Sequence, residues 1–225
     1  MAAASVTHFP SSHPAFRRRG LMLILASPPG GGKTTITREL MRLDPQTVIS
    51  ISATTRAKRP GEVDGQHYHF VSPEKFRRMV DDGDMLEYAL VYNGNMYGTP
   101  KTPVEKTLSE GRDVLFDIDW QGKRNLEKIA RDDVVSVFLL PPSWAVLEKR
   151  LHGRAQDNEG EIKSRLDKAQ DEISHYGEFQ YVIVNDDLKD SLRQVRGILE
   201  AERLKCHRLL DIRAFVDTLK PPPEE

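Results

Sequence analysis

Apolar residues recur along this chain with two alternating periods. Leu21-Met22-Leu23-Ile24-Leu25-Ala26 is a continuous apolar run, as a strand covered on both faces requires. Ile36, Leu40 and Leu43 then share one face of a helix. The stretch from Thr47 to Ser52 predicts a second strand, and His67 to Val71 a short one. Ser72-Pro73 predicts a helix start, a cap followed by proline at the first helical position. Phe76, Met79 and Val80 give that helix its buried face, and Gly83 ends it. Met85 to Tyr92 is strand-like, Asn93-Gly94 is a turn signal, and Tyr97-Gly98-Thr99 follows. Thr102-Pro103-Val104-Glu105 reads as a capping box opening a helix that stops at Gly111. Asp113 to Asp119 is an apolar strand ending in two acidic residues, and Gln121-Gly122 leads into another helix. Val134 to Leu140 is a nearly continuous apolar strand.

Trp144, Leu147 and Leu151 share a helical face, and the polar, glycine-containing residues 152–161 read as a mobile segment. Ile162, Leu166, Ala169 and Ile173 mark the next helix, and Tyr181 to Val184 the last strand. A final helix spans roughly 188–216, ahead of Pro221-Pro222-Pro223. This order predicts an α/β fold with a three-layer core and a parallel sheet, residues 20–51 and 101–216, with an insertion at about 52–100. Residues 1–19 and 217–225 read as tails. The first of these, with Arg17-Arg18-Arg19 and prolines at 10 and 14, is disordered or begins too far upstream, rather than a transit peptide.

The 225 residues fit one domain with an inserted part. Apolar residues make up 38% and charged residues 30%, the balance of a soluble globular protein. A net charge of −1 offers no electrostatic case for nucleic acid or membrane, so any anion site must be a local arginine cluster. No apolar run approaches the about 20 residues of a membrane span. The single Cys206 excludes an intrachain disulfide and suits a reducing compartment, so the expected location is the cytoplasm. His67 and His69 could share a strand face, but no third ligand lies nearby for a metal.

Chemistry first enters at Ser27-Pro28-Pro29-Gly30-Gly31-Gly32-Lys33-Thr34, between the first strand and the first helix. This is the context of a phosphate-binding P-loop. Backbone N–H groups of such a turn converge on an anion, and the following helix N-terminus adds open donors. Lys33 can place its ammonium on the β- and γ-phosphates, and the Thr34 hydroxyl can ligate Mg²⁺. The loop departs from G-x-x-x-x-G-K-[ST] in two places. Ser27 stands where the first glycine belongs, and Pro29 brings no N–H.

The more specific motif is Ser52-Ala53-Thr54-Thr55-Arg56, then Arg59-Pro60-Gly61-Glu62, Gly65 and Tyr68. It resembles the GMP-binding signature of guanylate kinases, P-loop enzymes that move a phosphoryl group from ATP to GMP. Glu87, Tyr97-Gly98-Thr99, Asp117-Ile118-Asp119-Trp120-Gln121-Gly122, Gly153-Arg154 and Val182-Ile183-Val184-Asn185-Asp186 match in order, so the resemblance runs from about Leu21 to about Ala201. It implies a P-loop core, an insertion that binds GMP and a lid near 150–165.

By that resemblance Arg56, Arg59, Tyr68 and Tyr97 bind the GMP phosphate, with Glu62 in the same motif. Ser52, Glu87, Thr99 and Asp119 serve the guanine. Arg150, Arg154 and Arg165 close over the transferring group. ATP falls to residues Pro28, Pro29, Gly30, Gly31, Gly32, Lys33, Thr34 and Thr35, with Asn185 near adenine and Mg²⁺ bound with the nucleotide.

The chemistry is coherent without the family. Guanidinium forks and phenols suit a phosphate dianion. A carboxylate such as Glu87 can accept from guanine N1–H and N2–H₂, while Ser52 and Thr99 hydroxyls can donate to O6. Adenine would leave these groups unpaired. The plainer readings are a solvated loop for Arg56, Arg59 and Glu62, helix-surface arginines at 150 and 165, a strand-end cap for Asp117 and Asp119, and packing for Tyr88, Tyr92 and Trp144. Two alternatives to the enzyme remain: a non-catalytic binding module of the same family, and a same-fold kinase for another phosphorylated acceptor.

Overall fold

The computed structural model describes residues 16–91, 94–153 and 159–219. A five-stranded parallel sheet forms the core, in the spatial order 47–49, 113–116, 22–26, 134–140 and 181–184. Its strands are β1 (Met22–Ala26), β2 (Thr47–Ile49), β7 (Asp113–Phe116), β8 (Val134–Leu140) and β9 (Tyr181–Val184). β1 is the central strand, and alternation along it divides the core. Leu21, Leu23 and Leu25 face Ile36 and Leu40 of α1 (Lys33–Leu43) and Val195 and Leu199 of α7 (Leu188–Arg203). Met22, Ile24 and Ala26 face Val104 and Leu108 of α3 (Lys101–Ser109) and Leu126 of α4 (Trp120–Ala130). Both faces of β1 are thus sealed, which is why its sequence is apolar without interruption.

The chain leaves this sheet after Ile49 and returns to it at Asp113, by way of α3. Between lies a four-stranded sheet made of β3 (Ala53–Thr54), β4 (His69–Phe70), β5 (Met85–Val91) and β6 (Asn95–Pro100), in the order β4-β3-β6-β5. Helix α2 (Pro73–Asp81) is capped as its sequence predicts, the Ser72 hydroxyl accepting from Lys75 N–H at 3.2 Å. Phe76 is its one fully buried residue and anchors it on this sheet. Truncating such a side chain costs about 3–5 kcal/mol. The β5–β6 hairpin turns through Gly94 at φ +74°.

Three predicted features differ. Helix α3 starts at Lys101, with Pro100 at its cap and no side-chain capping bond, so Thr102 is not a cap. Strand β6 runs straight into the helix, and Pro103 falls in the first turn, where its missing N–H has no intrahelical partner to lose. The final helix is broken: α7 ends at Arg203, a 3₁₀ turn spans Cys206–Arg208, and α8 covers Ile212–Thr218. The break carries Arg208, 1% exposed, inward to the carbonyls of Asp132 (2.8 Å) and Gly20 (3.4 Å).

Finally, residues 16–19 are not a loose tail. Arg17 pairs with Asp211 at 2.8 Å, Arg18 with Asp113 at 2.6 Å and Arg19 with Asp133 at 2.6 Å. Backbone bonds from Arg19 N–H to the Arg208 carbonyl and from Leu210 N–H to the Arg17 carbonyl, each 2.8 Å, tie this strap to the segment after α7. The packing reading fails at Trp144 and Tyr88, which are 43% and 53% exposed. Tyr92 lies outside the described residues.

Candidate active site

β1 ends at Ala26 and α1 begins at Lys33, so residues 27–32 sit at the carboxyl end of the central strand. That end of a parallel sheet is where open α/β folds bind ligands. Gly31 N–H closes the turn onto the Pro28 carbonyl at 2.8 Å. Gly30 and Gly32 take left-handed φ values of +82° and +94°. At Gly32 a Cβ would also lie 2.2 Å from Asn185 Nδ2. Gly32 caps α1 without a side-chain bond, so the first N–H groups of that helix stay open for an anion.

Lys33 forms an ion pair with Asp117, just past the end of β7. The loop residues Pro28, Pro29, Gly30, Gly31 and Gly32, with Lys33, Thr34, Asp117 and Asp119, line a cavity of about 270 Å³. Thr35 faces another side of the loop, with Arg150 and Asn185. Asn185 is 6% exposed, and its side chain is committed at both ends. Nδ2 donates to the Gly31 carbonyl at 2.8 Å, and Oδ1 accepts from the Ser191 hydroxyl at 2.9 Å. It fastens the loop to the end of β9, a part the sequence did not reveal.

Arg150, on α5 (Trp144–His152), donates from Nη2 to the Asn185 carbonyl at 3.1 Å. Its Nη1 is buried without a hydrogen-bond partner among the described residues. Such an orphan donor beside a P-loop suits an anionic ligand. Arg165 is half-buried on α6 (Glu159–Ser174), whereas Arg154 lies outside the described residues.

Across the cleft, the inserted sheet presents a second set of groups. Arg56 forks onto Glu62, Nη2 to Oε1 at 2.7 Å and Nη1 to Oε2 at 3.0 Å. Its guanidinium lies 5.4 Å from the centre of the Tyr68 ring. The hydrogen bond from Arg56, aided by Arg59 N–H at 2.7 Å, holds the Glu62 carboxyl down at about 2. Glu62 therefore orients the arginine rather than lining the cleft. The Arg59 side chain is exposed. Burial pushes the Tyr68 phenol up.

Glu87 and Thr99 are cross-strand partners in the β5–β6 ladder, which sets their side chains side by side. Thr99, fully buried, donates its hydroxyl to Glu87 Oε1 at 2.7 Å. Burial pushes the Glu87 carboxyl up; the Thr99 bond opposes this, and the Asp119 charge adds to it. A hydroxyl has one proton. With it on Glu87, Thr99 cannot also donate to a base oxygen, and of the two predicted O6 donors only Ser52 remains.

Ser52, Tyr68, Glu87, Tyr97 and Asp119 line one cavity of about 510 Å³. Asp119 caps α4, its Oδ1 accepting from Gln121 and Gly122 N–H at 3.1 and 3.0 Å. Helix α6 closes the cavity with Lys168, Asp171 and Glu172, which sequence reasoning missed. For Lys168 and Glu172 the signal was the spacing of residues 165, 168 and 172, one helical face. That face lies apart from Ile162, Leu166, Ala169 and Ile173, of which Leu166, Ala169 and Ile173 pack on Leu147 and Leu151 of α5.

Among the described residues no group of three or more acidic, histidine or cysteine side chains could cage a metal. The Thr34 hydroxyl with Asp117 and Asp119 instead offers a few hard oxygens beside the P-loop. Such a set fits Mg²⁺, which takes most of its ligands from phosphates and water.

A P-loop cavity and a second cavity on the inserted sheet share a wall, an arrangement suited to transfer between two phosphorylated substrates. The fold and cleft together define a P-loop nucleotide kinase. A protein-family model described as guanylate kinase matches residues 19–202. A guanylate kinase from Paramagnetospirillum magneticum is 54% identical over 207 residues, covering 92% of this chain and 96% of that protein. One from Rhodospirillum rubrum is 52% identical over 94% of this chain and 97% of that protein. The crystal structure of guanylate kinase from Anaplasma phagocytophilum superposes with a TM-score of 0.73 at 35% identity, covering 93% of this chain and all of the other. The chain belongs to the guanylate kinase family.

Proposed function

We propose that this chain works as a guanylate kinase through the residues gathered in its cleft, transferring the γ-phosphoryl group of ATP to GMP to give GDP and ADP. The P-loop, Lys33 and Arg150 hold the triphosphate. Arg56, Tyr68 and Tyr97 hold the GMP phosphate, with Glu62 keeping Arg56 in place. Glu87, oriented by Thr99, accepts from guanine N1–H and N2–H₂, and Ser52 donates to O6. Mg²⁺, held through Thr34 and the phosphates, supplies charge neutralisation when bound. Arg154 and Arg165 belong to the lid over the transferring group, residues about 150–165, and residues about 52–100 form the GMP-binding part. The acceptor is itself a phosphate oxygen, so the protein needs no general base; alignment and charge stabilisation carry the rate.

The observation that carries this is the Glu87–Thr99 pair facing the P-loop cavity across Asp117 and Asp119. A half-buried carboxylate with its second oxygen open matches guanine's two adjacent donors and mismatches adenine's N1 lone pair. No helix among the described residues is long and apolar enough to cross a membrane. With its single cysteine and near-neutral charge, the chain suits the cytoplasm, with ATP and GMP as its partners rather than nucleic acid or lipid. The test is a panel of GMP, dGMP, AMP, CMP and UMP with ATP, read by ADP release. GMP should exceed AMP, CMP and UMP by orders of magnitude. No transfer to any acceptor would identify a binding module, and preference for another base would overturn the guanine map.

A further inference from the structure

The donor cavity around the P-loop and the acceptor cavity on the inserted sheet share a wall: Asp117, Ile118, Asp119, Lys168 and Glu172. Residues that line both cavities stand where the two substrates would meet. Lys168 is the one cation among them. The other charged members are carboxylates, and Lys33, the nearest P-loop cation, is already paired with Asp117. Two phosphate groups approaching this wall would meet three carboxylates, with Lys168 as the wall's own counter-charge.

Lys168 is also free to move. Its Nζ lies 3.5 Å from Glu172 Oε1, and its side chain is 63% exposed. Charge-assisted hydrogen bonds are shorter, about 2.7–2.9 Å, so this contact holds the ammonium loosely. Glu172 is 7% exposed, and burial pushes its carboxyl up while Lys168 and Lys33 pull it down. A four-carbon stem with three donors can swing from this tether to a phosphate oxygen about one side-chain length away.

We propose that Lys168 is a catalytic residue of the phosphoryl transfer, its ammonium leaving Glu172 to donate to the transferring phosphoryl group at the junction of the two cavities. In the step, a GMP phosphate oxygen bonds to the γ-phosphorus as the bond to the β–γ bridging oxygen breaks. The electron pair of that bond stays on ADP, and Lys168 keeps its proton throughout. Lys168 stabilises the charge on the equatorial oxygens, and Glu172 is the resting tether. The inference rests on the kinase reading of the cleft.

The experiment compares Lys168→Met, Lys168→Arg and wild type in the full chain, by kcat and KM for the acceptor that wild type uses best. Removing an exposed i, i+4 partner should leave the melting temperature unchanged. Lys168→Met should lose kcat by about 10–100-fold with KM for both substrates within about twofold, and Lys168→Arg should recover most of the loss. Lys168→Met should also bind an ADP–aluminium fluoride–GMP complex more weakly by a similar factor while binding ADP normally. Wild-type kcat in Lys168→Met, or an effect confined to KM, overturns the role. Wild type preferring an acceptor other than GMP sinks the guanine reading, while the ratio of variant to wild type still decides Lys168. No turnover of any acceptor by wild type refutes both.

Discussion

Glu87→Gln is the sharpest probe of the acceptor site, because it changes one atom's chemistry and almost no volume. In wild type, Thr99 donates to Oε1 at 2.7 Å, which leaves Oε2 and a second lone pair of Oε1 for the base. Glutamine has one oxygen and one NH₂. If its oxygen keeps the Thr99 bond, the NH₂ meets guanine donors head on. If it flips, Thr99 can accept from the NH₂, but only one guanine donor finds the oxygen and the charge is gone. Either way at least one hydrogen bond to a charged group is lost, roughly 1.5–3 kcal/mol, or about one to two orders of magnitude in kcat/KM for GMP. AMP should remain a poor substrate, since Ser52 still presents its hydroxyl, but the GMP/AMP ratio should shrink by that same factor. Thr99→Val should cost less than Glu87→Gln, and the double variant less than the sum, because the pair acts through one carboxylate. The assay is kcat/KM for both monophosphates in all four proteins. An unchanged GMP/AMP ratio in Glu87→Gln would mean the base is read elsewhere.

Other outcomes follow from the same geometry. Lys33→Ala should abolish transfer while leaving calorimetric GMP affinity within about threefold, since the acceptor groups lie on the other sheet; retained turnover would refute the assignment. Gly32→Ala forces a left-handed φ on a residue with a Cβ 2.2 Å from Asn185 Nδ2. It should cost about 2–4 kcal/mol in urea unfolding and raise KM for ATP; a neutral result would mean the loop adjusts. The two acceptor carboxyls should titrate in opposite directions by carbon-13 NMR. Glu62, depressed to about 2 by Arg56, contributes stability above its unfolded value near 4.5 that is lost as pH falls toward 2. Glu87 is raised, so its contribution is full below that unfolded value and falls away as pH rises through its own. GMP affinity, which needs the Glu87 carboxylate, should therefore fail on acidification before the Arg56–Glu62 pair breaks. The reverse order would contradict the burial argument.

The sheet was legible where one strand needs one kind of residue throughout. β1 and β8 are sealed on both faces, and their sequences show it without any partner being known. The P-loop was legible because its glycines, lysine and threonine are adjacent in sequence. The strap was not. Arg17-Arg18-Arg19 looks like a solvated charge run, and its acidic partners, Asp211, Asp113 and Asp133, are far away in the chain. The break after Arg203 was hidden for the same reason: the residue that enforces it, Arg208, answers to carbonyls at Gly20 and Asp132. Within the site, residue types could be read but not the direction of their protons. That Thr99 serves Glu87, and that Asn185 is occupied at both ends, are facts of pairing across strands and loops.

The unusual first letter of the P-loop has a local resolution. Ser27 is 7% exposed, and its hydroxyl donates back to the Pro28 carbonyl at 3.1 Å, so its polar atom is satisfied without a ligand. Its bulk is accommodated at Gly31, where an added Cβ would lie 2.7 Å from Ser27 Cβ and 2.9 Å from its Oγ. Glycine has thus been lost at one end of the loop, and the space it gave is supplied at the other. Pro29 removes one N–H and Gly31 N–H is held by Pro28, which leaves Gly30 within the loop and Gly32, Lys33 and Thr34 at the mouth of α1 as donors for a phosphate. The donors at the mouth of α1 are fixed in direction by Gly32, which Asn185 in turn holds through the Gly31 carbonyl. The departure from the motif therefore shifts anion binding toward the helix end of the loop. It leaves untouched the part that Lys33 and Thr34 need.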